Sequence, residues 1–195
     1  MEKIIVFDFD KTLTNYDTTL PFFLFCCKGN RIRVIFLPLY FLIKIMSKLR
    51  FISVKKQKEI GLKFFCPRSI QEFTQLCSRF SETIKLNDLY FTEFLRLSNG
   101  NNKIVVASAS FQCYLENLFQ GIEVIGSLVE VDSLDRIIGI GRHPYKEEKA
   151  ALLQTKSWSG IKCFYTDSKN DSPTVNLSEK TIWVCQGRMV EEKRK

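Results

Sequence analysis

Short runs of consecutive apolar residues recur along the chain and predict the strands of a buried parallel sheet. Residues 4–7 (IIVF) end directly at an acidic residue, and residues 103–107 (KIVVA) follow the same pattern. Residues 161–165 and 181–185 are further runs of this kind, and residues 122–125 form a weaker one. Such uninterrupted apolar runs are typical of strands that are covered on both faces.

Helical patterns separate these strands. The helical period places five apolar side chains on one buried face of a helix that stops at Gly121: Phe111, Tyr114, Leu115, Leu118 and Phe119. A second helix is predicted over residues 145–156, after Pro144. Strands and helices that alternate at these spacings predict an open parallel α/β sheet, in which ligands bind beyond the carboxyl ends of the strands.

Residues 15–97 differ from the rest of the chain, because helical patterns dominate there and no strand is predicted. Ser69 and Glu72 form the capping box of one helix in this segment. Further along, residues 128–132 and 137–141 alternate apolar with polar or small residues, which is the pattern of a small β-hairpin.

The composition describes a globular chain with one core. A hydrophobic content of 45% with 26% charged residues excludes a disordered or low-complexity protein. A length of 195 residues gives room for one domain with an insertion. We therefore predict a catalytic core of residues 1–14 and 98–195, with a helical cap of residues 15–97 inserted into it.

Positive charge is concentrated in one part of the predicted cap. Residues 28–68 contain 11 Lys and Arg but a single acid, Glu59, so their net charge is +10 while the rest of the chain carries −2. Two uncharged apolar decads, residues 18–27 and 34–43, lie in or beside this stretch. Both are far shorter than the roughly 20 residues of a spanning helix. Two interpretations stay open: these segments lie in an anionic membrane interface, or they are buried core with solvated basic ends.

Other sequence signals limit the compartment and the partners. The seven cysteines are odd in number and contain no CxxC pair, so we expect free thiols in a reducing cytoplasm. Asp8 and Asp10 stand where a secretory signal would need its apolar stretch. No zinc-finger or RNA-binding pattern accompanies the basic residues, so nucleic acid is not an expected partner. His143, the single histidine, is predicted to be a loop residue.

Two carboxylates, Asp8 and Asp10, follow the first buried strand at once. Burying two like charges together is costly, and proteins keep such pairs where a cation or a reaction needs them. Three later positions also follow a strand or begin a helix: Ser108, Lys149, and Asp167 with Asp171. In an open sheet all of them can converge on one pocket, where the acids would hold magnesium and Ser and Lys would hold phosphate.

Four segments, DFDKTLT, VVASAS, KEEKAALL and YTDSKNDSP, resemble the ordered motifs of the haloacid dehalogenase superfamily of phosphohydrolases, in its phosphoserine-phosphatase-like branch. The resemblance covers most of the chain, including the helical cap and the hairpin before the lysine motif. It implies a Rossmann-like core with a helical cap and a small β-hairpin flap. It also implies Mg²⁺-dependent phosphotransfer through an aspartyl-phosphate.

The resemblance assigns roles to the matching residues. Asp8 would be the nucleophile and Asp10 the general acid and then base, while Ser108 and Lys149 would bind phosphate. The remaining positions are four further substrate contacts, Thr12, Asp17, Ala109 and Asn170, and a metal site formed by Asp8, the backbone carbonyl of Asp10, Asp167 and, in support, Asp171.

The early cap is similar to that of the phosphatidylglycerophosphatase C type of enzyme. This similarity implies a lipid phosphomonoester as substrate, with peripheral contact to the anionic inner face of the cell membrane through residues 18–68. A soluble phosphatase acting on phosphoserine or a sugar phosphate is the alternative. A non-catalytic module that binds phosphate or docks on a membrane is a third interpretation.

Overall fold

A computed structural model describes residues 3–29, 31–100, 102–155 and 158–194. Its described strands form one sheet in the order β4-β3-β2-β1-β5-β6-β7. The strands are β1 (Ile4–Phe7), β2 (Lys103–Phe111), β3 (Glu123–Val131), β4 (Ile137–Arg142), β5 (Ile161–Thr166), β6 (Lys180–Cys185) and β7 (Arg188–Arg194). The five central strands pair in parallel, and β4 and β7 pair antiparallel at the two edges. The predicted α/β class and Rossmann-like sheet are confirmed.

The helices fall into two groups. Those between β1 and β2 are α1 (Thr19–Cys26), α2 (Leu37–Lys48), α3 (Val54–Phe65), α4 (Ile70–Ser81) and, after a π-helical turn at Tyr90–Phe94, α5 (Leu95–Ser98). Those after β2 are α6 (Gln112–Leu118), α7 (Glu147–Gln154) and α8 (Ser172–Val175). Short 3₁₀ turns occupy Cys27–Gly29, Arg31–Phe36 and Lys169–Asp171. The first group lies within the segment predicted as a cap, and the division into core and cap at residues 15–97 stays a prediction.

The strand β2 is longer than its apolar run predicts. It continues to Phe111, which was expected in the following helix, and pairs there with Ser127 of β3. The Phe111 side chain is buried and contacts the rings of Phe22 and Phe73 from the cap helices, which explains why the residue stays in the strand. The helix α6 is therefore shorter than predicted, and Phe119 lies just beyond its end.

The predicted hairpin is present, and its first strand, β3, is also a strand of the central sheet. β3 pairs in parallel with β2 along its first half and antiparallel with β4 along its second half. The hairpin tip also contacts the cap: the Ile70 amide donates to the Asp135 carbonyl at 3.0 Å, and the Ile137 amide donates to the Arg68 carbonyl at 2.7 Å.

The carboxyl-terminal residues form a strand that no apolar pattern in the sequence predicts. Arg188–Arg194 form β7, which pairs with β6 and covers its outer edge. The two linking residues, Gln186 and Gly187, both have positive φ angles of 48° and 72°. This is the backbone of a two-residue hairpin turn. The turn could not be predicted from the sequence, because Gln is not a favoured residue at its first position.

The core among the cap helices is aromatic. The two uncharged decads differ in whether they belong to it. Phe22, Phe23 and Cys26 of α1 are buried, so the first decad is core. The second decad, in and before α2, is largely exposed. α3 lies close to α1 because Gly61 has no side chain: a Cβ there would lie 2.2 Å from the Phe23 ring. Within the described residues no helix is long and apolar enough to cross a bilayer.

All seven cysteines are free thiols, as the sequence predicts. Five of them are buried, and the Sγ atoms of Cys26 and Cys66 lie 3.5 Å apart between α1 and the end of α3. Burial raises the pKa of the Cys66 thiol, so it behaves as a small core side chain.

Candidate active site

The predicted site residues come from neighbouring elements at one edge of the sheet. Asp8 directly follows β1, and its amide donates to the Tyr165 carbonyl of β5 at 2.9 Å. Asp167 follows β5, and Ser108 lies near the carboxyl end of β2. Lys149 is in the first turn of α7. The carboxyl ends of the three central strands β2, β1 and β5 thus bring these groups together, as the topology predicts.

Lys149 links two carboxylates at the centre of the site. Its Nζ lies 2.9 Å from Oδ1 of Asp8 and 2.7 Å from Oδ1 of Asp171. Thr166 holds the second oxygen of Asp171 by donating from its hydroxyl at 2.7 Å. All three charged residues are buried, with 3% of Lys149 and 7% of Asp8 exposed. The site is therefore a desolvated ion-pair cluster rather than a surface salt bridge.

The electrostatics of this cluster are dominated by burial. Burial raises the pKa of Asp8 to about 8, against the attraction of Lys149, and the carboxylates of Asp171 and Asp167 add to the rise. For Lys149 burial acts to lower the pKa, but Asp8 and Asp171 outweigh it and hold the pKa above its usual value. Burial likewise raises the pKa of Asp167. These carboxylates gather more negative charge than Lys149 compensates, which is the environment that favours a bound cation.

Asp10 is held by a separate set of donors. Its Oδ1 accepts from the Thr18 amide at 2.8 Å and from the Thr18 hydroxyl at 2.7 Å, and its Oδ2 accepts from the Ser110 hydroxyl at 2.5 Å. Tyr114 supports Thr18 through a 2.8 Å contact between their hydroxyls. Burial and then the nearby Asp17 raise the pKa of Asp10 to about 6, against these hydrogen bonds. Asp10 is therefore fixed in place and titrates near neutrality.

The predicted substrate contacts are spread around the site. Ser108 is buried and its hydroxyl accepts from the Ser110 amide at 3.1 Å. Thr12 is fully buried, and no partner for its hydroxyl lies among the described residues. Asp17, Ala109 and Asn170 line the adjoining cleft.

Lys58 of α3 belongs to this region, although no motif in the sequence predicts it there. Only 4% of the residue is exposed, its Nζ donates to the Ala109 carbonyl, and it lies 5.1 Å from the centre of the Phe111 ring. Burial lowers its pKa to about 8, although Asp10 and Asp17 oppose the change. In the sequence Lys58 is one of eleven basic residues in the same stretch, with no motif of its own.

His143 was predicted to be a loop residue, and it is one, but it is buried beside the cleft. Its Nδ1 lies 2.9 Å from the Ser127 hydroxyl oxygen. Ser127 donates its single hydroxyl hydrogen to the Ala109 carbonyl, so Nδ1 of His143 is the donor in their contact. Burial, with Lys58 and Lys55, lowers the pKa of His143 to about 3, so the ring is neutral. The chain from His143 to Ala109 fixes the backbone beside Ser108.

Replacing Lys58 by methionine should stabilise the fold at neutral pH. The pKa of Lys58 falls from 10.5 to about 8 on folding, so the unfolded chain binds the proton more tightly and the charged form opposes folding. This penalty is complete below pH 8 and disappears as pH rises towards 10.5. We expect Lys58→Met to raise the unfolding free energy at pH 7 by about 1–3 kcal/mol in urea titrations, with a smaller gain at pH 10.

A lysine on the exposed side of α3 provides the control for this experiment. Lys56 forms a surface ion pair with Glu59, and Lys56→Met should change stability by less than about 0.5 kcal/mol. A gain at Lys58 that is the same at pH 7 and pH 10 would show that the titration of the buried ammonium is not the cause.

The cleft beside the site has a volume of about 1090 Å³ and lies between the α2–α3 region and the carboxyl edge of the sheet. Asp10 and Ala109 form part of its inner wall. Its outer wall combines cationic and apolar side chains from the α2 to α3 region: Phe41, Lys44, Ile45, Lys48, Arg50, Phe51, Lys55 and Lys58. The cleft can therefore receive an anionic group that is attached to an apolar body.

The donor set suits a hard divalent cation. Among the described residues no three His, Cys, Asp or Glu side chains are already arranged as a metal-binding group. The available donors at the sheet edge are nevertheless carboxylate oxygens, which are the ligands that Mg²⁺ prefers. Asp8, Asp167 and Asp171 act on one another electrostatically, and burial has raised the pKa values of the first two. By this donor chemistry the residues present fit Mg²⁺.

The chain thus combines a Rossmann-like sheet with a buried aspartate–lysine cluster at the carboxyl edge of its central strands. The sequence matches the haloacid dehalogenase-like hydrolase family over residues 5–175. The chain belongs to this family, which confirms the predicted family and the expectation of an enzyme. No curated protein matches the sequence.

Solved structures share the fold at low sequence identity. A protein of unknown function from Bordetella pertussis Tohama I has a TM-score of 0.74 at 16% identity, over 90% of this chain and 86% of that one. A phosphoserine phosphohydrolase-like protein from Francisella tularensis has a TM-score of 0.65 at 15% identity, over 93% and 86%. A phospho-aspartyl intermediate analogue of phosphoserine phosphatase gives 0.62 at 15%, over 93% and 86%. The predicted phosphoserine-phosphatase-like fold is thus confirmed.

Proposed function

We propose that this protein is a Mg²⁺-dependent phosphomonoester hydrolase that works through an aspartyl-phosphate on Asp8. The observation that carries the proposal is the buried contact of Lys149 with both Asp8 and Asp171, beside a separately anchored Asp10. The same intermediate is named for the phosphoserine phosphatase analogue that shares this fold. Membership of the hydrolase family supports the same chemistry.

The reaction divides one difficult hydrolysis into two displacements. An Asp8 carboxylate oxygen forms a bond to phosphorus while the bond to the ester oxygen breaks, and Asp10 gives its proton to the departing alkoxide. Water then attacks the aspartyl-phosphate, Asp10 takes a proton from that water, and phosphate leaves with the Asp8 carboxylate restored. A pKa of about 6 lets Asp10 hold and release a proton near neutral pH.

The phosphoryl group needs positive charge and hydrogen-bond donors around it. We assign this role to Lys149 and Ser108, with Thr12, Ala109 and Asn170 as further contacts. Lys149 already neutralises part of the negative charge at Asp8. The same ammonium can therefore stabilise the negative charge that the phosphoryl oxygens carry during the reaction.

Asp8, Asp167 and the backbone carbonyl of Asp10 would hold Mg²⁺, and Asp171 would support them. When bound, the ion neutralises phosphate charge and so permits attack by an anionic carboxylate. These roles are supported by the oxygen donors at the sheet edge and by the raised pKa values of Asp8 and Asp167.

We further propose a lipid phosphomonoester as substrate, with phosphatidylglycerophosphate as the first candidate. The mixed cationic and apolar outer wall of the cleft supports this choice. This proposal includes a reducing cytoplasm as the compartment, and peripheral contact of residues 18–68 with the inner face of the membrane. Asp17, which lines the same cleft, instead favours an ammonium-bearing substrate such as phosphoserine, and this is the second candidate.

A substrate panel with and without Mg²⁺ tests this proposal. Removal of divalent ions with EDTA should lower phosphate release by at least about 100-fold, because the crowded carboxylates then repel the phosphoryl group. Phosphatidylglycerophosphate in mixed micelles should be turned over faster than phosphoserine. Undiminished release in EDTA would contradict the metal assignment, and faster release from phosphoserine would contradict the lipid assignment.

A further inference from the structure

The solvent-exposed side of helix α2 is apolar, whereas the exposed side of a helix in a globular protein is usually polar. It buries Tyr40, Ile43 and Ser47 against the cap. The positions that face away from the cap carry large apolar side chains: Leu39, Phe41, Leu42, Ile45 and Met46. A helix that is hydrophobic around most of its circumference is normally covered on all sides.

The apolar surface extends beyond both ends of α2. Ile32 and Ile35, in the 3₁₀ turn before the helix, are 78% and 74% exposed, and Phe51 after it is 74% exposed. Of the 19 exposed large hydrophobic residues in the described chain, eleven lie within residues 32–51. We call the exposed surface of residues 32–51 the α2 face. Its concentration of apolar side chains marks an interaction surface.

The charges around the α2 face identify what it can bind. No acidic residue occurs between Lys28 and Lys58, whereas Arg31, Lys44, Lys48 and Arg50 lie within or beside the face. A second copy of this chain would bring two strongly basic surfaces together, which opposes self-association. A surface of anionic phospholipids satisfies both features, because it accepts apolar side chains and attracts lysine and arginine.

We propose that the α2 face docks on an anionic phospholipid bilayer, with α2 lying in the plane of the interface. Its 12 residues span about 18 Å along the helix axis, a length that suits an interfacial position rather than a crossing. The proposal narrows the predicted contact within residues 18–68 to residues 32–51, because α1 is buried in the cap.

The docked face and the cleft share residues. Phe41, Ile45 and Phe51 are exposed on the α2 face and also line the cleft, as do Lys44 and Lys48. Docking therefore places the mouth of the cleft against the bilayer. A lipid phosphomonoester could insert its phosphate while its acyl chains stay in the membrane, and this last step rests on the proposed function.

Flotation with vesicles tests the docking. Leu42 and Met46 lie on the face, one turn apart, and do not line the cleft. We expect the wild type to float at low salt with phosphatidylcholine vesicles that contain phosphatidylglycerol, and to float poorly with phosphatidylcholine alone. The double variant Leu42→Asp with Met46→Asp should lose at least about tenfold in partition, since two apolar contacts are lost and two negative charges are added.

A matched double variant controls for added charge and lost apolar surface. Leu134→Asp with Met189→Asp makes the same changes at two exposed residues, on the hairpin tip and on β7, and should float like the wild type. Three results would overturn the proposal: no flotation with anionic vesicles, equal flotation with neutral ones, or full flotation of the Leu42/Met46 variant. A dimer that dissociates in that variant would also overturn it, by showing that the face binds a second copy.

The docking and the catalytic proposals can fail independently. The Asp8→Asn variant should float like the wild type, since Asp8 is buried at the sheet edge. Flotation without any phosphomonoester hydrolysis by the wild type would leave docking supported and the proposed function wrong. Hydrolysis of soluble phosphomonoesters without flotation would leave phosphomonoester hydrolysis supported and the docking proposal wrong.

Discussion

Replacement of Asp8 by asparagine should lower the hydrolysis of any phosphomonoester by about 10⁴-fold or more. The amide keeps the size of the carboxylate but cannot form the acyl-phosphate bond. The measurement is the rate of phosphate release under single-turnover conditions, with denatured protein analysed for acid-stable bound phosphate. The wild type should carry transient phosphate, and Asp8→Asn should carry none.

Folding of the Asp8→Asn variant must be measured alongside its activity. Burial raises the pKa of Asp8, so the ionised carboxylate opposes folding at neutral pH and its removal should not lower the melting temperature. Asp88→Asn, at an exposed position outside the site, serves as the matched control and should keep wild-type activity. An Asp8→Asn protein with full activity would contradict the assignment of the nucleophile.

Replacement of Lys149 by methionine should damage both stability and catalysis. It removes the positive partner of two buried carboxylates, Asp8 and Asp171, and leaves them facing each other. Breaking a buried ion pair on one side costs about 3 kcal/mol or more, so the unfolding free energy should fall by that amount at neutral pH. Turnover should fall by about 10³-fold, because the same ammonium stabilises charge on the phosphoryl oxygens.

The stability loss at Lys149 should depend on pH in a defined direction. Burial raises the pKa of Asp8 to about 8, so lowering the pH from 9 to 5 protonates this carboxylate and removes one of the charges that Lys149 compensates. The gap in stability between wild type and Lys149→Met should therefore be smaller at pH 5 than at pH 9. Lys180→Met removes a partly exposed ion pair with Glu192 and should cost less than about 1 kcal/mol at either pH. A Lys149 variant as stable as the Lys180 variant would show that the buried cluster does not depend on the lysine.

Much of this fold is readable in the sequence because its central strands are buried on both faces. Val6 and Val105 lie in uninterrupted runs of buried apolar residues, and this local pattern predicts a strand without knowledge of its neighbours. Edges are harder to predict. β7 carries exposed residues on a chain end, and its turn uses Gln186, so only its partner β6 gives it a structure.

The sequence predicts only some of the site residues, and it does so through their places at strand ends and helix starts. Asp8, Lys149 and Asp171 stand next to strand ends or helix starts, and the sheet topology then brings them together. The donors that hold Asp10 come instead from Thr18 and Ser110, 92 positions apart in the chain, and the sequence links neither to the acid. Lys58 could not be predicted as a site residue either, since only tertiary packing distinguishes it from its basic neighbours.

The continuous strand β3 connects the central sheet to the segment predicted as the cap. Its first half is part of the central sheet, whereas its hairpin end holds the cap through backbone bonds of Ile70 and Ile137. A movement of the predicted cap away from the sheet would have to break these two hydrogen bonds or bend β3. The pairing of β3 with β4 slips between Leu128 and Val129 and again between Glu130 and Val131, so this is where the strand can act as a hinge.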